Sequence, residues 1–284
     1  MTDRYNPLAV PIKEAATIIL VAQRPDIHIL IMQRNINTVF GGGKWVFPGG
    51  GLDAQDRSDA MKTLSTHLSD QYASQILQLP EGGLGYYVAA IREAFEEAGI
   101  LLALTQEHQQ PLDLSDSLIE SRFMAHRAQL NNQNLTFTEI LHQEKLILDT
   151  TPMHYVARWI TPCGPPRRFD ARFFVAQVPV GQEAAHDDNE LVHSKWMSPG
   201  EILEHHSKGE MGLMEPTLRL IKNLCLFNST DELMASAAAT DMPYHRVRYH
   251  SKHNILVPGE PGYEDAAENI ESGWVRLRPL GEQA

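Results

Sequence analysis

The stretch Gly85–Ile100, Gly-Tyr-Tyr-Val-Ala-Ala-Ile-Arg-Glu-Ala-Phe-Glu-Glu-Ala-Gly-Ile, constrains this chain more than any other. Tyr87, Val88, Ile91, Ala94, Phe95 and Ala98 recur at intervals of three and four, which is the period of a helix with one apolar face. Gly99 stands where such a helix would end in the left-handed conformation. At roughly 100° per residue, Glu93, Glu96 and Glu97 fall within an arc of about 100° opposite that face. Spacing leaves two readings of this acidic patch. It is a solvated helix face, or it is a set of hard oxygen donors whose mutual repulsion is relieved by Mg2+ or Mn2+.

Upstream, Lys44-Trp45-Val46-Phe47-Pro48-Gly49-Gly50-Gly51 ends a short apolar run at a proline and follows it with three glycines. A strand therefore leads into a corner whose backbone can approach a ligand closely. Acids follow at Asp53 and Asp56.

These two stretches together resemble the signature of the Nudix hydrolase superfamily. Arg92-Glu93-Ala94-Phe95-Glu96-Glu97-Ala98-Gly99-Ile100 is similar to its second half, and Gly50 with an acid six positions on is similar to its first. Two features depart from the pattern. Asp56 stands where the family has glutamate, and 35 residues separate it from Arg92, roughly 28 more than the family spacing. A box split in this way after Trp-Val-Phe-Pro-Gly-Gly resembles the subgroup that includes the peroxisomal coenzyme A diphosphatases of animals. So does Pro165-Pro166-Arg167-Arg168-Phe169-Asp170-Ala171-Arg172-Phe173-Phe174.

The resemblance implies an α/β fold, the Nudix α/β/α sandwich with a mixed central β-sheet, here with helical insertions. It places a Nudix domain at 10–230, with one insertion at 57–84 inside the box and a second, helical, at 105–150, followed by a C-terminal helix and extension at 231–284. It implies Glu96 and Glu97 as the first metal ligands, Glu93 as a catalytic residue that ligates the metal or orients a metal-bound water, Gly50 as the source of a backbone carbonyl, and Arg92 as the residue that anchors the corner through an acid such as Asp53 or Asp56. The implied reaction is Mg2+- or Mn2+-dependent hydrolysis of the diphosphate linkage of a nucleoside diphosphate derivative. Coenzyme A or acyl-coenzyme A leads the substrates; ADP-ribose, NADH, dinucleoside polyphosphates and a non-catalytic nucleotide-binding module are the alternatives.

The remaining chain supplies supporting positions. Ala15–Ala22 and Ile27–Arg34 read as adjacent strands joined at Pro25. Arg34 ends the second strand, as a surface charge or facing substrate phosphates. Gly41-Gly42-Gly43 forms a loop beside it, either idle or closing over substrate. Ser58–Leu79 reads as one or two short helices, and Leu112–Leu148 as a helical subdomain broken near Asn131-Asn132-Gln133-Asn134, the region expected to choose the leaving moiety. Tyr155–Thr161 and Arg172–Val178 have strand character. Between them Arg167 and Arg168 present either guanidinium forks to a diphosphate or partners for Asp170. Glu190 is a candidate general base or further metal ligand, with Glu183 and Asp187 as competitors. His186, His193, His205 and His206 lack zinc spacing.

A net charge of −12 argues against a general nucleic-acid binder, since phosphate backbones call for excess lysine and arginine. Two cysteines, Cys163 and Cys225, point to a reducing compartment. Without a membrane-length apolar run, a signal peptide or a Ser-Lys-Leu ending, the expectation is a cytoplasmic protein, with a small nucleotide as its partner and a homodimer as its assembly.

Overall fold

The computed structural model describes residues 9–38, 41–185, 191–239, 245–251, 254–256, 260–268 and 273–279. Strands β1 (Ile12–Arg24) and β2 (Asp26–Arg34) form a hairpin turning at Pro25, and their alternation decides how the layers stack. Ile18, Leu20, Leu30 and Met32 enter one apolar cluster, while Ile19, Val21, Ile29 and Ile31 enter another. A strand buried on both faces reads as a near-continuous apolar run, because helices must cover both sides.

Two short strands follow, β3 (Trp45–Val46) on β2 and β4 (Gly49–Gly51) on β1. Then comes the first excursion, with α1 (Asp59–Thr63), β5 (Ser65–Thr66) and α2 (Asp70–Leu77), leading to α3 (Leu84–Ala98). The second excursion holds β6 (Ala103–Thr105), α4 (Ser117–Asn131), α5 (Phe137–Gln143) and β7 (Leu146–Asp149). β5, β7 and β6 pair as a separate small sheet, so the two excursions are tied to each other as well as to α3.

The main sheet is completed by β8 (His154–Ile160), β9 (Arg168–Gln177) and β10 (Leu191–Met197). Its order is β10-β2-β1-β9-β8, continued by Trp274–Val275 and His245–Arg246. β1 and β9 run parallel and the other named neighbours antiparallel, so the sheet is mixed. Helix α3 and both excursions cover one face. Helices α6 (Pro199–Ser207), α7 (Glu215–Leu224) and α8 (Thr230–Ala238) cover the other.

The C-terminal region is more than a surface appendage. Trp274–Val275 pairs with β8, Leu277 is fully buried, and the buried Arg276 donates from Nη2 to Tyr155 O at 2.7 Å. Short apolar patches between proline and glycine gave little hint of this sheet edge. No helix among the described residues is long and apolar enough to cross a membrane.

Candidate active site

Helix α3 ends at Gly99 with φ of 73°, and is buried over most of its surface. Its acids do not face bulk water. The side chains of Glu93 and Glu96 are 12% and 23% exposed, and Glu97 is 7% exposed as a residue. The two excursions roof what an isolated amphipathic helix would leave as its wet side. The solvated-face reading of the acidic patch is thereby removed.

The glycine corner lies against these acids although more than 40 residues separate them in the chain. Gly49 N donates to Glu97 Oε2 at 2.7 Å. At Gly50 a Cβ would sit 2.6 Å from Glu93 Oε1 and 2.7 Å from Oε2, so only glycine lets backbone and carboxylate approach this closely.

Arg92 joins the two halves. Its Nε and Nη2 donate to the two oxygens of Asp56 at 2.9 and 3.0 Å, and Nη2 also reaches Gly51 O at 3.0 Å. Its Nη1 donates to Glu93 Oε1 at 2.9 Å and Glu96 Oε2 at 2.8 Å. Asp56 is almost wholly buried, and its Oδ2 also accepts from Asp53 N in a capping box that shapes the turn Ala54–Arg57. Asp56 rather than Asp53 is thus the partner of Arg92. Burial disfavours the Arg92 charge, but Asp56, Glu93 and Glu96 outweigh it and hold the guanidinium protonated above its ordinary range. Burial pushes the Glu93 carboxyl up to about 7 against the pull of Arg92, and raises Glu96 likewise.

Two cavities meet at the acids. One, of about 620 Å3, lies toward α7 and is lined by Glu93, Glu97, Arg34, Gly49–Gly51 and mainly apolar walls. The other, of about 640 Å3, lies beneath the excursions and holds Asp56, Arg92, Glu93, Glu96 and Glu97 together with Met61 and Asn131. Arg34 therefore shares a cavity with Glu93 and Glu97. The Gly41–Gly43 turn beside it is fastened to β2: Gly43 N donates to Arg34 O at 3.1 Å, and Gln33 Nε2 to Gly43 O at 3.2 Å.

Arg167 and Arg168 are not brought to that cavity. Strand alternation turns Phe169, Ala171 and Phe173 into it. Arg168 is buried with Nε donating to Thr161 O at 3.0 Å, and Arg167 is exposed on the preceding turn. Asp170 is held by Arg158 at 2.7 and 2.8 Å, with Arg172 Nη1 at 3.4 Å, rather than by either of them. Glu190, Asp187 and His186 lie outside the described residues. Glu183 pairs with Arg24 at 2.9 Å and lines neither cavity. His205 and His206 bind Glu210 Oε2 and Met211 O.

Sequence reasoning missed Arg127. From α4 its Nε donates to Glu96 O at 2.9 Å and its Nη2 to Glu97 O at 2.6 Å, while Asn131 Nδ2 reaches Glu96 O at 3.2 Å. These are carbonyls that the end of a helix leaves without intrahelical partners. A cation also suits the negative end of the α3 dipole. The available signal was an arginine amid apolar helical spacing, which has no distinctive pattern.

The donor chemistry fits a hard divalent cation, because the acids and the Gly50 backbone offer only oxygen. The coordination shell itself is not assembled. Among the described residues no three acidic, histidine or cysteine side chains converge as a metal centre, and Arg92 lies between Glu93 and Glu96.

The architecture matches the crystal structure of a NUDIX hydrolase from Alicyclobacillus acidocaldarius with a TM-score of 0.65 and 24% identity, over 80% of this chain and 97% of that one. Curated relatives are the acyl-coenzyme A diphosphatase NUDT19 of Xenopus laevis, 24% identical over 73% of this chain, and that of Homo sapiens, 26% identical over 82%. The chain spans 62% of the length of the Xenopus protein and 74% of the human one. The family model described as the NUDT19 Nudix domain matches residues 66–224, more than half of the chain, and the protein therefore belongs to the NUDT19 Nudix-domain family.

Proposed function

We propose that the protein is a divalent-cation-dependent diphosphatase that hydrolyses the diphosphate linkage of coenzyme A or an acyl-coenzyme A, giving 3′,5′-ADP and a 4′-phosphopantetheine. The relatives named acyl-coenzyme A diphosphatase support the substrate class. One observation carries the chemistry. Glu93 and Glu97 stand against the Gly49–Gly51 corner at the junction of two cavities, a place suited to a linkage with a bulky group on each side.

Glu93, Glu96 and Glu97 would hold Mg2+ or Mn2+, with a backbone oxygen of the corner as a further donor. When bound, the cation neutralises phosphoryl oxygens and lowers the pKa of a coordinated water. Arg92 is a positioning residue. Through Asp56 and Gly51 O it locks the corner to α3, and its contacts with Glu93 and Glu96 balance their charge when no cation is present. Gly50 lets a diphosphate approach the Glu93 carboxylate without a side chain between them. Arg34, in the same cavity, supplies positive charge toward the phosphates.

The test is a product assay. The protein is incubated with coenzyme A, octanoyl-coenzyme A, ADP-ribose, NADH or diadenosine polyphosphates in Mg2+ or Mn2+, and products are separated by chromatography. Expected are 3′,5′-ADP and the matching phosphopantetheine. Release from ADP-ribose or NADH alone would move the substrate class. Nucleotide binding without product in either metal would favour a non-catalytic module, a reading that the Arg92 contacts to Glu93 and Glu96 keep in play.

A further inference from the structure

With 35 residues between Asp56 and Arg92, the chain connection itself no longer keeps the corner beside α3, and contacts outside the backbone must close the gap. The first excursion leaves at Arg57 and returns through residues 82–85, and these two ends touch. A Cβ at Gly85 would sit 2.6 Å from Arg57 Cγ, and one at Gly82 would sit 3.0 Å from Arg57 Nε. Glycine weakens a helix relative to alanine, yet Gly85 stands in the first turn of α3, where the Arg57 stem occupies the space a methyl would need.

The same arginine reaches the main sheet. Its Nη1 and Nη2 donate to the two carboxylate oxygens of Glu14 on β1 at 2.7 and 2.8 Å. The guanidinium also lies 5.5 Å from the centre of the Tyr86 ring, whose hydroxyl donates to Glu14 Oε1 at 2.7 Å. Just past the glycine corner, Leu52 N donates to the main-chain oxygen of Glu14 at 3.2 Å. Glu14 therefore pins the loop 52–57 at both ends, and from between the pins Asp56 takes the Arg92 fork. A single exposed ion pair contributes little, but a two-pronged fork that shares its carboxylate with a phenol donor fixes geometry as well.

We infer that Arg57 is a positioning residue: it staples both ends of the excursion and the loop 52–57 to Glu14, so that Asp56 holds Arg92 and the glycine corner stays docked on the acids of α3. Arg57 lines neither cavity, so it acts through Asp56 and the corner and not by touching a ligand. The consequence for metal affinity rests on the proposed hydrolase reading; the docking of the corner does not.

Two readouts separate positioning from general stability in the full chain. Hydrogen exchange by mass spectrometry compares the amides of the corner and of the loop 52–57 with those of β8 and β9, and electron paramagnetic resonance measures Mn2+ affinity without turnover. In R57M the corner and loop should exchange about tenfold faster while β8 and β9 stay as in wild type, since local opening moves only the amides it frees. Mn2+ should bind about tenfold more weakly, the scale for losing a group that orients metal ligands. R57K should fall between, because lysine offers one point donor in place of the fork. G85A keeps every charge and improves the helix former, yet should loosen the same amides by displacing the Arg57 stem. Wild-type exchange at the corner in R57M, acceleration spread evenly over the chain, or unchanged Mn2+ affinity in the folded variants would overturn the assignment. So would G85A protein whose corner is as protected as in wild type. Should R57M not fold, R57K and G85A decide by the same measurements. If the wild-type protein neither binds Mn2+ nor hydrolyses a diphosphate, the hydrolase reading fails and the exchange pattern alone decides the staple.

Discussion

Replacing Arg127 by methionine isolates what the second excursion does for the acid-bearing helix. Methionine keeps an unbranched apolar stem and removes the guanidinium, so the loss is two charge-assisted bonds, to Glu96 O at 2.9 Å and Glu97 O at 2.6 Å. Both carbonyls sit beneath a side chain that is 3% exposed, where water cannot readily replace the donor. Bonds to charged groups are worth about 1.5–3 kcal/mol each, and buried orphan acceptors cost a similar amount. Because Asn131 retains one bond to Glu96 O, the expected destabilisation is about 3 kcal/mol. For a chain of this length that corresponds to a fall in Tm on the order of 6 °C. R127K should recover roughly half, since lysine reaches as a single point donor. Calorimetry of the three proteins measures the stability, and Mn2+ titration by electron paramagnetic resonance measures metal affinity directly. If the last turn of α3 aims Glu96 and Glu97, R127M should weaken Mn2+ binding about tenfold, with R127K between the two. A Tm within 1 °C of wild type, or unchanged Mn2+ affinity in folded R127M, would refute the reasoning.

Other consequences follow from the same contacts. G50A places a methyl 2.6 Å from Glu93 Oε1, so the carboxylate must swing away; Tm should hold within a few degrees while turnover drops about 100-fold, as for a misplaced reacting group. D56N leaves the Arg92 fork facing a neutral amide in a buried site, and should cost about 3 kcal/mol in urea unfolding, the scale for breaking a buried ion pair. The folded-state pKa of Glu93 lies above its unfolded value, so its contribution to stability is present below about pH 4.5 and lost as pH rises to about 7. Metal-free protein should therefore lose up to about 3 kcal/mol across that window, and E93Q should flatten the profile in urea melts at a series of pH values.

The sequence made some of this architecture legible because its cause is local. Three-and-four spacing with a terminal glycine marked the helix now seen at Leu84–Ala98, and β1 and β2 declared themselves through paired apolar runs broken at Pro25. Proximity of the glycine corner to the acids depends on pairing across the sheet, and became readable only through the resemblance of two distant stretches. Where contacts are set by burial and strand parity, residue type misled. Arg167 and Arg168 lie next to cavity-lining Phe169, yet one is exposed and the other turns to Thr161 O. The sequence pointed to Leu112–Leu148 for choosing the leaving moiety; what it did not show is that Arg127 from this excursion braces the end of α3, while Asn131 both contacts Glu96 O and lines the lower cavity. The strand at Trp274–Val275, which joins β8 to His245–Arg246, was hidden by its two-residue length.

The most direct test replaces one charge and leaves the shape. E97Q keeps an oxygen that can accept the Gly49 N–H now donated at 2.7 Å, so the corner should remain docked and Tm nearly constant. Release of 3′,5′-ADP from coenzyme A in Mg2+ should fall on the order of 1000-fold, the several kcal/mol that metal-assisted charge stabilisation supplies. Undiminished release by folded E97Q would contradict the claim that acids of this helix and the glycine corner form a metal-dependent diphosphatase centre.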